Sequence, residues 1–357
     1  MAVDQSQSNS MADKDKNKQV LSEGKTKQLQ AKPQTDEKVV TILSIDGGGA
    51  RTIIPAVILD VLEKKLQEID HDDNLRISDY FDVVAGSGTG SIVAALLTTP
   101  VDTKQDCRPL FSMPQIVDSL VDMFKITFSE QDVKSSPPED KKNDRKGKTL
   151  WERAKEIFNW GHRKLFHAEN AGKDDLKNIM RKNLNDTLLM ETLSEVVVPV
   201  YNFRNTRPFV FSSSQTRELR QNGYGDIKLV DVVLASSAMP MVLPLHSITY
   251  QETPLKFADG GLVSTNPTLL ALQEAEKLYG SEADYKNYLV LSLGTAKRSP
   301  EHVPEDDVPS MVDGSDDSIK KLKEIGEKIL GKPAAYMNPY TGVYEEQILS
   351  NKAVLEE

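Results

Sequence analysis

The chain predicts a three-layer α/β fold, with helices flanking a mainly parallel central sheet. Two successive stretches carry that prediction, each an apolar strand that breaks into a glycine turn and resumes as a helix. In the first, Val39-Val40-Thr41-Ile42-Leu43-Ser44-Ile45 runs into Asp46-Gly47-Gly48-Gly49-Ala50-Arg51. In the second, Tyr80-Phe81-Asp82-Val83-Val84-Ala85 runs into Gly86-Ser87-Gly88-Thr89-Gly90. Parallel neighbours need a crossover between strands, and a helix after each glycine turn supplies it.

The first helix should run from Ile53 to about Ile69, with Val57, Leu59, Val61, Leu62 and Leu66 at roughly helical spacing. Pro55 falls in its first turn, where a missing N–H costs nothing. The second helix is the apolar run Ser91–Leu97. Trp151–Leu165 and Lys173–Leu184 read as amphipathic helices, and Ser318–Leu330 as a polar one. Further strands are expected at Val196–Phe203, Pro208–Ser212 and Tyr288–Gly294. Residues 1–38 are polar and charged with hardly an apolar side chain, so they predict a disordered tail. Residues 129–148, proline-bearing and aperiodic, predict a surface loop. Residues 39–357 then form one domain.

Composition narrows the function. The 357 residues have a net charge of −10, which argues against a nucleic-acid binder and its basic face. The single cysteine, Cys107, excludes an intrachain disulfide framework and a multi-cysteine metal site. No N-terminal run is apolar enough for a signal peptide, and no stretch approaches the ~20 apolar residues of a membrane span. A soluble, cytoplasmic protein is the expectation, with peripheral contact at membranes allowed.

Three constellations could carry chemistry. Adjacent glycines at Gly47-Gly48-Gly49, between strand and helix, expose consecutive N–H groups that can bind phosphate or an oxyanion. The second turn has the G-x-S-x-G frame of a nucleophile elbow, with Gly86 and Gly90 in place and Gly88 where the serine belongs. The third is Asp259-Gly260-Gly261, an aspartate set at the end of a strand. Either glycine loop fails as a dinucleotide fingerprint, since Thr52 or Ser91 stands where that pattern closes on a small residue. Neither has the Gly-Lys-Ser/Thr of a P-loop. A Ser-His-Asp triad is also hard to assemble. His302 is the only histidine after Asp259, and His71, His162, His167 and His246 precede it. An aspartate-only base remains.

Nest, elbow and Asp-Gly-Gly in that order resemble the patatin-like lipid acyl hydrolases of plants, over roughly Val39 to Leu293 and again near the C-terminus. Supporting matches are Ile77-Ser78-Asp79-Tyr80-Phe81-Asp82, Arg207-Pro208-Phe209-Val210-Phe211, Ala235-Ser236-Ser237-Ala238-Met239-Pro240 and Ser292-Leu293-Gly294-Thr295. The resemblance implies a patatin-like α/β fold and a Ser-Asp dyad acting on the acyl esters of phospholipids or galactolipids. It makes Asp259 the base and Gly48 and Gly49, with Arg51 adjoining, the oxyanion hole. It implies no cofactor and no metal. Partners would be lipid esters or a membrane surface, met transiently.

The sequence departs from that pattern three times. Gly88 replaces the nucleophile. Thr52 replaces the glycine closing the first motif and adds a Cβ near the hole. The segment after about residue 295 is short, so a wall of the acyl site is either missing or rebuilt by other parts of the chain. Loss of a serine nucleophile costs on the order of 10⁶ in turnover, leaving ~10³–10⁴ over water from the hole and binding. Ser87, one residue early, is the nearest substitute and should aim away from the hole. Thr89 has the same fault. Water activated by Asp259 is a third route. The expectation is weak or absent hydrolysis, the alternative a non-catalytic protein that binds lipid or a partner.

Overall fold

The computed structural model describes residues 39–102, 106–128, 173–221, 226–240, 242–250, 252–280, 287–295, 308–337 and 344–356. The predicted tail, the 129–148 loop and the Trp151–Leu165 helix lie outside these residues.

The sheet has seven strands: β1 (Val40–Ile45), β2 (Val83–Gly86), β5 (Glu195–Asn202), β6 (Arg207–Ser212), β7 (His246–Tyr250), β8 (Thr253–Ala258) and β9 (Tyr288–Leu293). Two short hairpins stand apart from it, β3 (Pro100–Asp102) with β4 (Asp106–Pro109) and β10 (Pro333–Met337) with β11 (Tyr344–Ser350). The described α-helices are α1 (Ile53–Asp70), α2 (Gly90–Thr98), α3 (Met113–Thr127), α4 (Lys173–Leu184), α5 (Ser213–Gln221), α6 (Leu229–Ser236), α7 (Thr268–Tyr279), α8 (Asp316–Gly331) and α9 (Asn351–Glu356).

Strands β9, β1, β2 and β5 are parallel neighbours in that order. The alternation of side chains along them separates two cores. Leu43, Ile45, Val84, Val196 and Val198 pack with the buried residues of α1, α2, α3 and α6. Val40, Ile42, Val83, Ala85 and Val197 face the other way, against Ala271 and Ala275 of α7. The outcome is the expected three-layer, mostly parallel α/β architecture.

Strand β5 organises the antiparallel half. Along one edge it pairs with β6 from Val197 to Asn202. Its other edge is divided: β2 takes Glu195 to Val197 and β8 takes Tyr201 and Asn202. Because β2 runs parallel to β5 and β8 antiparallel, their C-terminal ends point at each other across the unpaired stretch between. Pro199 lies in that stretch with its carbonyl on the divided edge, where it accepts from Ser236 Oγ at 2.8 Å. A residue's N–H and C=O share one edge of a strand, so the N–H that proline lacks would have met no partner strand.

Several boundaries differ from those predicted. Tyr80 and Phe81 are not strand. They follow a 3₁₀ turn at Ile77–Asp79, and Asp82 latches onto β1 by accepting from Thr41 N at 2.9 Å and Thr41 Oγ1 at 3.0 Å. Phe203 falls outside β5 because Asn202 Oδ1 accepts from the N–H groups of Arg204 and Asn205, turning the chain. Helix α8 is amphipathic rather than polar: Ile319, Leu322, Ile325 and Leu330 are buried, and Gly326 lies close against Val57 of α1. The short pairs β3–β4 and β10–β11 and the strand β7 have no apolar alternation long enough to predict them, while β8 is the strand expected to end at Asp259. One strand is unusual for its composition. β9 is apolar along most of its length yet ends the sheet among the described residues, with Leu289 60% and Val290 38% exposed.

The crossing of the two glycine turns sets a tight tolerance. A Cβ on Gly90 would overlap the carbonyls of Ile45 and Asp46, and one on Gly86 the backbone of Gly90. Gly90→Ala should therefore lower unfolding free energy in urea by about 1–3 kcal/mol, the range for overpacking. Gly331→Ala, which meets nothing within 4 Å, should shift it much less.

Candidate active site

The site forms where the ends of β1, β2 and β8 converge. After β2 the chain turns through Ser87, Gly88 and Thr89 before entering α2. Gly88 is left-handed at φ 53°, a conformation that glycine adopts without strain. Its N–H donates to Ser236 Oγ at 3.1 Å. Its carbonyl accepts from Ser91 Oγ at 2.6 Å and Ser237 Oγ at 3.2 Å. The Ser236-Ser237 pair at the end of α6 thus holds the turn from behind, tying it through Ser236 to Pro199.

Asp259 begins the turn after β8. Its N–H donates to the Ala238 carbonyl at 3.0 Å, and its Oδ1 accepts from Gly261 N at 2.9 Å. Gly260 has no room for a side chain beside the Pro199 carbonyl and Ser236 Oγ. The decisive distance is between the two turns: a Cβ built on Gly88 would sit 3.1 Å from Asp259 Oδ1. A hydroxyl carried by that Cβ would lie within hydrogen-bonding reach of the carboxylate. Burial pushes the Asp259 carboxyl above its ordinary range, and the Gly261 N–H opposes the rise without cancelling it.

The hydroxyls on either side of Gly88 are committed elsewhere. Ser87 is fully buried, and its Oγ donates to the Ser264 carbonyl at 2.6 Å. Thr89 Oγ1 accepts from Gly48 N at 3.3 Å, lies 2.6 Å from Thr52 Oγ1 and donates to the Gly49 carbonyl at 3.2 Å.

The glycine nest lies against this elbow. Gly47 packs on the Ser87 carbonyl, and its N–H donates to Thr265 O at 3.2 Å. Gly49 is left-handed at φ 59°. A side chain there would run into the Met311 carbonyl, which accepts from Ala50 N at 2.8 Å. Arg51 is half-buried, its Nε donating to Pro309 O at 2.8 Å, and burial lowers its pKa. Residues 309–311 therefore line the nest on one side, while Thr295 lies against Gly48 and donates its Oγ1 to Gly47 O at 2.8 Å.

The predicted residues Gly48, Gly49, Arg51, Gly86, Gly88, Gly90, Asp259, Gly260 and Gly261 thus converge on one locus. His246 is elsewhere in its contacts: its Nε2 lies 2.9 Å from Asp231 Oδ1. Ser236, Ser237, Thr265, Thr295 and Met311 complete the surroundings. The serine pair was visible as a motif, but its role was not; Met311 left no sequence signal. Among the described residues no group of three or more His, Cys, Asp or Glu could hold a metal ion. No helix among them is long and apolar enough to cross a membrane.

A strand-turn-helix elbow, a glycine nest and an aspartate meeting at one point define the class of site. The match to known sequences agrees with it. The model of the patatin-like phospholipase family matches residues 43–272, more than half of the chain, and the chain belongs to that family. It is 34% identical over 283 residues to patatin-like protein 2 of Arabidopsis thaliana, covering 75% of this chain and 63% of that protein. It is 31% identical to patatin-like protein 2 of Oryza sativa subsp. indica, covering 72% and 61%. It is 30% identical to patatin-15 of Solanum tuberosum, covering 74% and 62%. The chain thus spans a little over three-fifths of the length of these relatives.

The Asp259 environment has a consequence for stability. Its folded pKa is raised, so the folded state holds this proton more tightly than the unfolded chain. The cost of burying the charge is absent below the unfolded carboxyl value, near 3.9, grows as pH rises from there to the folded value, and is constant above it. Asp259→Asn should therefore raise the unfolding midpoint at pH 7. That gain should disappear when melts are repeated below about pH 3.9.

Proposed function

We propose that the chain carries the acyl-ester site of a patatin-type lipid acyl hydrolase, with Gly88 at the nucleophile's place and hydrolysis consequently weak or absent. The observation that carries this reading is the 3.1 Å approach of a Gly88 Cβ to Asp259 Oδ1. That approach would bring a hydroxyl carried at residue 88 within reach of the carboxylate, which supports reading the two as the places of a nucleophile and its base. Gly48 and Gly49 would occupy the place of the oxyanion hole, with Arg51 beside them, and the substrates would be the acyl esters of phospholipids or galactolipids.

The chemistry open to this chain runs through water. The water oxygen bonds to the acyl carbon while its proton passes to Asp259, and the negative charge develops on the former carbonyl oxygen beside the nest. Collapse breaks the ester C–O bond, and the leaving alcohol takes the proton back from Asp259. Free water lacks the fixed position of a side-chain hydroxyl, and positioning of that kind is worth up to ~7–11 kcal/mol of barrier. Neither neighbouring hydroxyl replaces it, since Ser87 donates to Ser264 O and Thr89 is held against the nest.

That engagement also favours a second reading, a non-catalytic protein that binds lipid or a partner through the same locus. A soluble cytoplasmic protein meeting membranes peripherally suits either one.

Hydrolysis of a phospholipid and a galactolipid by the purified chain separates the readings. Wild type should release fatty acid at or below ~10⁻⁶ of a serine-bearing relative's rate. Gly88→Ser should raise the rate, and adding Asp259→Ala should remove the gain. Wild-type turnover within tenfold of such a relative would refute the weakened-enzyme reading. No gain in Gly88→Ser would favour the binding protein.

A further inference from the structure

The nest differs from an open oxyanion hole in how its own N–H groups are used. Gly47 N donates to Thr265 O, Gly48 N to Thr89 Oγ1, Ala50 N to Met311 O and Arg51 N to Gly48 O. Gly49 N is the one N–H of this turn without an acceptor among the described residues. The Thr89 hydroxyl is used to capacity. A hydroxyl offers one donor and two lone pairs. Here the proton goes to Gly49 O, and the lone pairs accept from Gly48 N and from the Thr52 hydroxyl at 2.6 Å. Thr52 is fully buried, so no water competes for that bond.

We propose that Thr52 and Thr89 form a clamp that keeps the Gly48 N–H out of oxyanion stabilisation, leaving the site one donor, Gly49, where two are needed. The inference rests on the acyl-ester reading of the site. It assigns positioning roles to two residues and makes the catalytic defect double. Thr52 acts through Thr89: its hydroxyl fixes the Thr89 side chain with a lone pair toward Gly48. A glycine at position 52 would supply neither the hydroxyl nor the β-carbon.

Losing one oxyanion donor costs about 10²–10³ in turnover. Restoring the serine alone should therefore leave the enzyme short by that factor. The test is the rate at which a long-chain alkyl fluorophosphonate labels residue 88. The new serine oxygen bonds to phosphorus, fluoride leaves, and Asp259 takes the serine proton. Gly88→Ser should label slowly. Gly88→Ser with Thr89→Val, and Gly88→Ser with Thr52→Val, should label at least ~10-fold faster, approaching the full factor. Both substitutions keep the volume and remove the hydroxyl. Gly88→Ser with Thr52→Ser keeps the hydroxyl and should stay slow. With a p-nitrophenyl ester the gain should fall on kcat and leave KM within about twofold, a split that general loosening of the turn would not give. A rate unchanged from Gly88→Ser in either valine variant overturns the proposal.

Hydrogen exchange at the Gly48 amide tests the clamp without chemistry. Thr89→Val in the otherwise natural chain should speed that exchange, and unchanged exchange overturns the proposal. Faster exchange with no labelling in any serine-bearing variant upholds the clamp and overturns the acyl-ester reading instead.

Discussion

The site depends on one constraint, the sharing of a single edge of β5 between two strands that approach from opposite directions. β2 leaves that edge after Val197 and β8 leaves it at Tyr201, so the residues following each strand are delivered to the same gap. Gly88 follows one and Asp259 the other. Nothing in the local sequence of either turn brings them together; the register of β5 does. Pro199 belongs to the same arrangement, since its carbonyl faces the gap and holds Ser236, which in turn holds the Gly88 amide. A shift of β5 by one residue would turn the opposite set of side chains to each face of the sheet and take this carbonyl out of the gap.

The second organising element is the web of backbone amides and hydroxyls around the nest. Positions 47, 49, 86, 90 and 260 are glycines because backbone meets backbone there, with carbonyls of Ser87, Met311, Ile45 and Pro199 among the nearest atoms. Such crowding excludes water and lends each remaining dipole more weight than it would have in solvent. Two hydrogen bonds, from Ala50 N and Arg51 Nε, fasten residues 309–311 across the loop.

Much of this was legible in the chain itself. The apolar strands, the glycine turns and the Asp-Gly-Gly were each readable because strand burial and tight turns impose residue types directly. Their order suggested the family. The division of β5 was not readable, since pairing between distant segments leaves no periodic trace in either. The amphipathic character of α8 was masked by its many lysines and acids, although Ile319, Leu322, Ile325 and Leu330 follow helical spacing. Thr52 read as an intruding β-carbon. In the fold its hydroxyl matters as much, because only the folded chain brings Thr89 to it.

The position of β9 carries a consequence of a different kind. A stretch such as Tyr-Leu-Val-Leu-Ser-Leu is suited to the middle of a sheet, yet it lies at the rim with no strand paired on its outer side among the described residues. It has no proline, no charge and no bulge to discourage another strand from adding to it. Six residues at the margin of the sheet therefore offer a second copy of the chain a row of N–H and C=O groups on which a further strand can add.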